Sequence, residues 1–152
     1  MGVAVRRLET AIPAHASLLI DTNVLIAYLE ERREITEAAT LLIDRWVHGG
    51  RNRAFVAMVS AMEILVGPLR ANLAIAQYLD FLGRFPNLTC VPLELRAAEA
   101  AARVRAQSNL KPPDALIVGT AVAAGADIIV TNDGAWAKKS PKPVVILRNY
   151  LT

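Results

Sequence analysis

The sequence predicts an α/β protein, a three-layer α/β/α sandwich built on a central parallel sheet of about five strands. Short, wholly apolar runs alternate with longer segments in which apolar residues recur every three or four positions. Strands that are apolar throughout are typical of parallel sheets, which are covered by helices on both faces. We expect one domain over residues 1–152, with 1–16 as an irregular lead-in because this stretch lacks a period and contains Pro13.

Each element follows from a local signal along the chain. Strands are expected where short apolar runs stand between turn residues, at 17–20, 54–59, 88–91, 127–130 and 144–147. Helices are expected where apolar residues have helical spacing, at 23–31, 35–48, 60–68, 72–82, 95–108 and after 112, with a short helical turn at 134–138. Strand followed by helix, repeated, favours parallel pairing.

Boundary residues support these assignments. Asp21 or Thr22 is a suitable cap for the helix at 23–31. Ser60 and Glu63 have the spacing of a capping box, so the next helix is expected to begin at Ser60. Pro68 is expected to bend or end that helix because proline lacks the backbone N–H that the helix interior uses.

Composition restricts the compartment and the partners. The chain has 152 residues, 54% of them hydrophobic, and a single cysteine, which excludes an internal disulfide framework. We find no apolar run of about 20 residues that would span a bilayer, and no signal peptide. We therefore expect a cytoplasmic protein without a membrane partner.

Positive charge outweighs negative charge, and the excess grows when the candidate site acids are set aside. The 17 Lys and Arg residues face 14 acids, four of which are candidate site residues, and 13 of the 17 are arginine, which suits phosphate. A basic surface makes a polyanion a plausible partner without establishing one. The basic residues best placed for that role are Arg51, Arg53, Lys138, Lys139 and Lys142.

Four acids stand at the ends of strands or the starts of helices: Asp21, Glu63, Asp114 and Asp133. Each has a structural alternative: helix cap for Asp21, capping box for Glu63, helix dipole for Asp114 and turn for Asp133. In a parallel sheet, however, residues just past the strands meet at one edge. Asp114 joins them only if the helix at 95–108 returns the chain to that edge.

Gathered carboxylates repel one another unless a cation lies between them. Carboxylate oxygens are the ligands that hard cations prefer, so we expect one or two Mg²⁺ or Mn²⁺ ions. Such ions suit hydrolysis of a phosphodiester, because they activate water and stabilise the attacking and leaving oxygens. The sequence therefore predicts a metal-dependent phosphodiesterase.

Four segments resemble the PIN-domain nucleases, and among these the VapC-type toxins of type II toxin–antitoxin pairs. The segments are Leu-Ile-Asp-Thr-Asn-Val-Leu at 19–25, Ser-Ala-Met-Glu-Ile-Leu-Val-Gly at 60–67, Pro-Asp-Ala-Leu-Ile-Val-Gly-Thr-Ala at 113–121 and Val-Thr-Asn-Asp at 130–133. Each is weak alone, but together and in this order they are specific. Trp136 departs from the family, which often has Phe or another apolar residue there.

The resemblance implies roles for these positions and names partners. Asp21, Glu63, Asp114 and Asp133 fall on the family's acidic metal-site positions, and the expected supporting residues are Asn23, Ser60, Thr131 and Asn132. It implies an endoribonuclease that acts on RNA, a small antitoxin that occupies the groove, and a homodimer. The sequence does not identify the RNA, the antitoxin or the acid that orients the attacking water.

Two other functions compete with this interpretation. An aspartyl-nucleophile phosphatase would use Asp21 after the first strand, but that class wants a second acid two residues later, where this chain has Asn23. A non-catalytic metal-binding or interaction module would keep its activity after any one carboxylate is neutralised. Loss of activity on neutralising one acid would therefore separate the nuclease from the binding module.

Overall fold

The computed structural model describes residues 2–31 and 33–152. Its strands are β1 (Ser17–Ile20), β2 (Arg53–Ala57), β3 (Leu88–Val91), β4 (Ile128–Thr131) and β5 (Val144–Ile146). They form one five-stranded sheet in the order β3-β2-β1-β4-β5, and every neighbouring pair is parallel. The predicted sheet is confirmed, and β1 lies at its centre.

The α-helices are α1 (Val5–Ala11), α2 (Thr22–Glu30), α3 (Thr36–Thr40), α4 (Met58–Arg70), α5 (Ala76–Arg84), α6 (Leu95–Gln107) and α7 (Pro112–Ala124). A π-helical segment, Leu41–Val47, continues α3, and 3₁₀ turns follow β4 at Gly134–Lys138 and β5 at Leu147–Tyr150. Within the described ranges, none of these helices is both long and apolar enough to cross a membrane.

Alternating side chains of the sheet build two separate cores. Leu19 of β1 packs with α6 and α7 on one face, whereas Leu18 and Ile20 pack with α1 to α5 on the other. All three side chains are fully buried. The three-layer α/β/α arrangement follows from this alternation, because successive residues of a strand point to opposite faces.

The expectation of an irregular segment at 1–16 is wrong, because α1 lies within it. Leu8 and Ile12, four residues apart, are fully buried, and they join the larger core. Arg7 lies over the ring of Tyr150 at 5.4 Å, so the helix is also fixed by the carboxyl end of the chain. A single apolar pair is too little to show a helical period, and the contact with Tyr150 cannot be seen in the local sequence.

The expected start of α4 at Ser60 is also wrong, and Pro68 does not end the helix. The helix begins at Met58, and Ser60 lies inside it rather than at its cap. It continues through Pro68 to Arg70, because a proline in the last turn removes only one hydrogen bond. The chain then turns at Asn72, whose φ of 55° is a conformation that asparagine tolerates. The next helix therefore starts at Ala76, later than predicted.

Helices α6 and α7 pack closely because Gly119 lies at their contact. A Cβ added at this position would meet the backbone O of Ala97 at 2.5 Å and the backbone N of Ala101 at 2.7 Å. Only glycine leaves room for α6 at this distance. The contact fixes α7, and with it the position of Asp114 in its first turn.

Candidate active site at the carboxyl edge of the sheet

Asp21 occupies the centre of the carboxyl edge, immediately after β1. Its backbone N–H donates to the carbonyl of Val130 in β4 at 2.9 Å, which continues the pairing of the two strands. The carboxylate accepts a hydrogen bond on each oxygen, from the backbone N–H of Thr22 and from the hydroxyl of Thr131, both at 2.7 Å. Asp21 is 4% exposed, so these bonds hold a buried acid in one orientation.

Burial raises the pKa of Asp21 from 3.8 to about 7. Removal of the carboxylate from water is the main cause, and repulsion from Asp114 and Glu63 raises the pKa further. The hydrogen bonds from Thr131 and Thr22 act in the opposite direction. A cation bound to this buried carboxylate would favour the charged form of Asp21.

Thr22 connects Asp21 to Glu63. Its hydroxyl donates to Oε1 of Glu63 at 2.9 Å and lies 2.8 Å from the hydroxyl of Ser60. A carboxylate only accepts, so the single proton of Thr22 goes to Glu63 and Ser60 donates to Thr22. Ser60 is fully buried. Its role is therefore to orient Thr22 and Glu63 rather than to cap α4.

Asp114 lies in the first turn of α7, after Pro112 and Pro113 at the helix start. Its pKa is raised, first by burial and then by the charges of Asp133 and Glu63, while Lys111 lowers it. These interactions join Asp114 electrostatically to the acids that follow β2 and β4. Helix α6 packs against α7, and the start of α7 lies within electrostatic range of these acids.

The segment after β4 is held by hydrogen bonds that converge on Thr131. The hydroxyl of Thr131 accepts from the backbone N–H of Asp133 at 3.0 Å and from Nδ2 of Asn23 at 3.4 Å. Oδ1 of Asn23 accepts from the backbone N–H of Asn132 at 3.1 Å. Asn132 is fixed in turn by Arg148, whose backbone N–H donates to Oδ1 at 3.0 Å and whose guanidinium donates to the carbonyl.

Two acids also serve the local structure, as their alternatives suggested. Asp21 is the N-cap of α2, and Asp133 accepts from the backbone N–H of Ala135 at the start of a 3₁₀ turn. Capping and a functional role are compatible, because a carboxylate oxygen that accepts one hydrogen bond keeps a further lone pair for a cation. The capping box predicted for Glu63 is not formed, since Ser60 lies inside the helix.

The donor set fits a hard divalent cation by its chemistry. Four carboxylates supply only oxygen, and two of them have pKa values raised in part by mutual repulsion. Among the described residues, no three His, Cys, Asp or Glu side chains form a ready-made metal site. Binding would therefore have to draw the side chains together, as expected of acids that repel one another.

Not all of the basic residues singled out in the sequence lie at this edge. Arg51 stacks on the ring of Trp46 at 4.1 Å and donates to Oδ1 of Asn52 at 2.8 Å, so it is used structurally. With Arg53 it lines a polar cavity near Ser17, at the amino end of β1 and opposite the acids. These two arginines are therefore not next to the candidate site.

Three residues that act on the site do not stand out in the sequence as site residues. Thr22 was considered only as a cap, although it bridges two acids. Arg148 follows β5 and lies at the same edge, so the rule applied to the other strands would have found it. Lys111 precedes the two prolines and lowers the pKa of Asp114. No spacing in the sequence distinguishes this lysine from other surface lysines.

The fold and the site together define a parallel α/β sandwich with an acidic centre at the carboxyl edge of its sheet. The family model of the PIN domain matches residues 18–140. This range includes all four acids, and the chain belongs to the PIN domain family. A comparison with curated proteins found no match.

Solved structures share the fold at low identity. A toxin–antitoxin complex from Klebsiella pneumoniae aligns at 22% identity and a TM-score of 0.63, covering 84% of this chain and 95% of that one. VapBC2 from Rickettsia felis, bound to a DNA fragment from its promoter, aligns at 17% identity and a TM-score of 0.63, covering 85% of this chain and 97% of that one. DNA-bound VapBC from Salmonella typhimurium aligns at 22% identity and a TM-score of 0.61, covering 86% of this chain and 97% of that one.

Proposed function

We propose that the protein is a Mg²⁺- or Mn²⁺-dependent endoribonuclease and the toxin of a toxin–antitoxin pair. The proposal rests on the hydrogen bonds through Thr22 and Thr131, which link Asp21 to Glu63 and to the backbone of Asp133 in a PIN domain. The charges of Glu63 and Asp133 also raise the pKa of Asp114. The likeness to proteins described as toxin–antitoxin complexes supports the biological role. RNA is proposed as the substrate from the family resemblance alone, because the excess of arginine over lysine suits any phosphate polyanion.

Asp21 and Asp114 would be the main metal ligands, with Glu63 and Asp133 completing the site. One or two bound ions would supply an activated water and stabilise charge on the phosphodiester. Thr131 and Thr22 hold Asp21 in place by hydrogen bonds, and Thr22 also orients Glu63. Such supporting hydrogen bonds fix the direction in which a ligand oxygen points.

An antitoxin, and a second copy of the chain, would cover apolar surface. Several large apolar side chains on α4, on α5 and between them are about half exposed: Met62, Leu69, Leu73 and Leu79. Exposed apolar patches mark interaction surfaces in proteins that act with partners. A cytoplasmic location is part of the proposal, because the RNA substrate and the antitoxin would be found there.

Cleavage of RNA by the purified, partner-free protein tests the proposal. Single-stranded and structured RNA would be incubated with Mg²⁺ or with EDTA, beside the variants Asp114→Asn and Asp80→Asn. Asp80 is an exposed acid on α5, paired with Arg84, so its variant controls for the loss of one charge. Cleavage that requires Mg²⁺ and Asp114 but not Asp80 supports the nuclease. Equal cleavage by all three proteins indicates a contaminant and removes the support.

Growth of cells that express the chain without a partner tests the role as a toxin. We expect growth arrest with the unmodified protein and normal growth with Asp21→Asn, since the variant lacks a central metal ligand. Immunoblotting would confirm that both proteins accumulate. Equal growth of the two cultures at equal protein levels would contradict the toxin role, while leaving the nuclease to the cleavage assay.

A further inference from the structure

A cavity of about 310 Å³ adjoins the acidic site on the side of α2. Its lining residues are Asn23, Ile26, Arg33, Glu34, Ile35 and Asn132. Asn23 places the cavity close to the acids, because its Nδ2 is 3.4 Å from the hydroxyl of Thr131, which donates to Asp21 at 2.7 Å. Two hydrogen bonds therefore separate the wall of the cavity from the central carboxylate.

The lining combines apolar surface with hydrogen-bonding groups of both kinds. Ile26 and Ile35 supply aliphatic surface, and Glu34 supplies an acceptor. Arg33 supplies donors besides the Nη2 that pairs with Glu30 at 3.3 Å. A flat ligand with apolar faces and polar edges suits this combination, and a nucleobase has that shape. The volume lies at the lower end of the range for small-ligand sites, about 300–1,000 Å³. It accommodates one base rather than a longer segment.

Asn132 offers a donor whose orientation is fixed by its neighbour. The backbone N–H of Arg148 can only donate, so the amide atom that it meets at 3.0 Å must be Oδ1. The other polar atom of the side chain is therefore Nδ2, which can donate two hydrogen bonds. In the hydrogen bonds of the described residues, Nδ2 of Asn132 has no acceptor.

We propose that this cavity, the base pocket, binds the guanine of a nucleotide next to the cleaved phosphodiester bond. The inference rests on the proposed function and adds a base preference to it. Guanine presents two donors, N1–H and the 2-amino group, that one carboxylate can accept, and Glu34 supplies that carboxylate. It also presents acceptors, O6 and N7, for the donors of Asn132 and Arg33.

The other bases match this set less well. Adenine carries an amino group where guanine has O6, so a donor would face the donors of the base pocket. Unpaired donors in a partly desolvated site weaken binding. Uracil and cytosine are smaller and lack the pair of adjacent donors that Glu34 would accept. We therefore expect guanine to bind about tenfold more tightly than the other bases, the discrimination of one good bidentate contact.

Binding of labelled RNA decamers to the Asp114→Asn protein tests the base pocket without cleavage. The decamers contain uridine throughout except for one central guanosine, adenosine, cytidine or inosine, and fluorescence anisotropy gives the Kd. Inosine lacks the 2-amino group, so it should bind more weakly than guanosine. Adding Glu34→Gln should bring the affinities for guanosine and inosine to within about twofold of each other, because a neutral amide accepts the paired donors poorly. Part of the discrimination against adenosine should remain, because Asn132 and Arg33 would still face its amino group.

Glu37→Gln provides the matched control, because Glu37 is also exposed and near α2 but does not line the base pocket. It should leave the guanosine preference intact. Equal affinity for all decamers, or a preference unchanged by Glu34→Gln, would overturn the proposal.

Cleavage of the same decamers by the unmodified protein with Mg²⁺ separates this proposal from the proposed function. Cleavage of all decamers at equal rates would overturn the base pocket and support the nuclease. A guanosine preference in binding that depends on Glu34, without any cleavage, would support the base pocket and contradict the nuclease.

Discussion

Replacement of Asp21 by asparagine should make the metal-free protein more stable at neutral and alkaline pH. Asp21 is 4% exposed, and its pKa is raised from 3.8 to about 7, mainly by burial. Asparagine has nearly the same shape but carries no charge. The variant therefore removes the unfavourable burial of an ionised carboxylate while it keeps the side chain in place.

The size and sign of the effect follow from the pKa. Between about pH 4 and pH 7 the unfolded chain has lost the proton of Asp21, whereas the folded chain keeps it. The folded state then binds more protons, so the free energy of unfolding falls as the pH rises, and the full loss is present above about pH 7. A pKa change of this size corresponds to about 4 kcal/mol.

One hydrogen bond reduces the gain. The Nδ2 group of the new asparagine would face the hydroxyl of Thr131, which at present donates to Asp21. The hydroxyl must turn and leave its proton without this acceptor, at a cost of about 1 kcal/mol. We therefore expect Asp21→Asn to be more stable by about 3 kcal/mol at pH 8.5 and equal to the unmodified protein within about 1 kcal/mol at pH 4.5.

Urea denaturation at several pH values, followed by circular dichroism, measures this difference. The buffers must contain EDTA, because a metal that binds only the folded state would stabilise the unmodified protein. Asp80→Asn, at an exposed acid of α5, is the control for the loss of one carboxylate. If Asp21→Asn changes the stability equally at pH 4.5 and pH 8.5, Asp21 does not titrate near neutrality and the reasoning from burial is refuted.

Three further predictions concern the residues that position the site. Thr22→Val should lower RNA cleavage about tenfold, whereas Thr22→Ser keeps the hydroxyl that orients Glu63 and should retain most of the activity, as initial rates would show. Gly119→Ala should lower the free energy of unfolding by about 1–3 kcal/mol, because the new Cβ would meet the backbone of α6. Gly67→Ala, where the new Cβ has open space, should raise the free energy of unfolding by about 0.5–1 kcal/mol in the same urea assay. Arg148→Ala removes the guanidinium that binds the carbonyl of Asn132 and should weaken Mn²⁺ binding by about tenfold in calorimetric titrations. Unchanged affinity would contradict the proposal that Arg148 positions the metal site through Asn132.

The central strands β1 and β4 were predictable because they are almost wholly apolar and are buried on both faces. The other strands are less uniform, since β2 begins with the exposed Arg53 and β3 includes the exposed Thr89. β1 and β3 match the predicted ranges, β2 and β4 differ by one or two residues at each end, and β5 ends one residue early. The helix ends were less predictable, because contacts that are distant in sequence decide them. Ser60 illustrates this, since its partner is Thr22 in another helix and not the backbone of its own.

The candidate acids were predictable from their positions after strands, but the residues that support them were not. Thr131 and Asn132 lie within two residues of Asp133, so the segment that resembles the family includes them. Arg148 lies 16 residues from Asn132, and its hydrogen bonds depend on the pairing of β4 with β5. The fit of Gly119 against α6 likewise exists only after two helices have packed together.

The central claim is that the acids act as one metal-dependent cleavage site, and the rate of RNA cleavage by single and double variants tests it most directly. We predict that Asp21→Asn and Asp114→Asn each lower the Mg²⁺-dependent rate by at least about 100-fold, and that the double variant is no slower than either, because residues that act as a unit are non-additive. Single variants that retain activity, or losses that multiply in the double variant, would contradict a shared site.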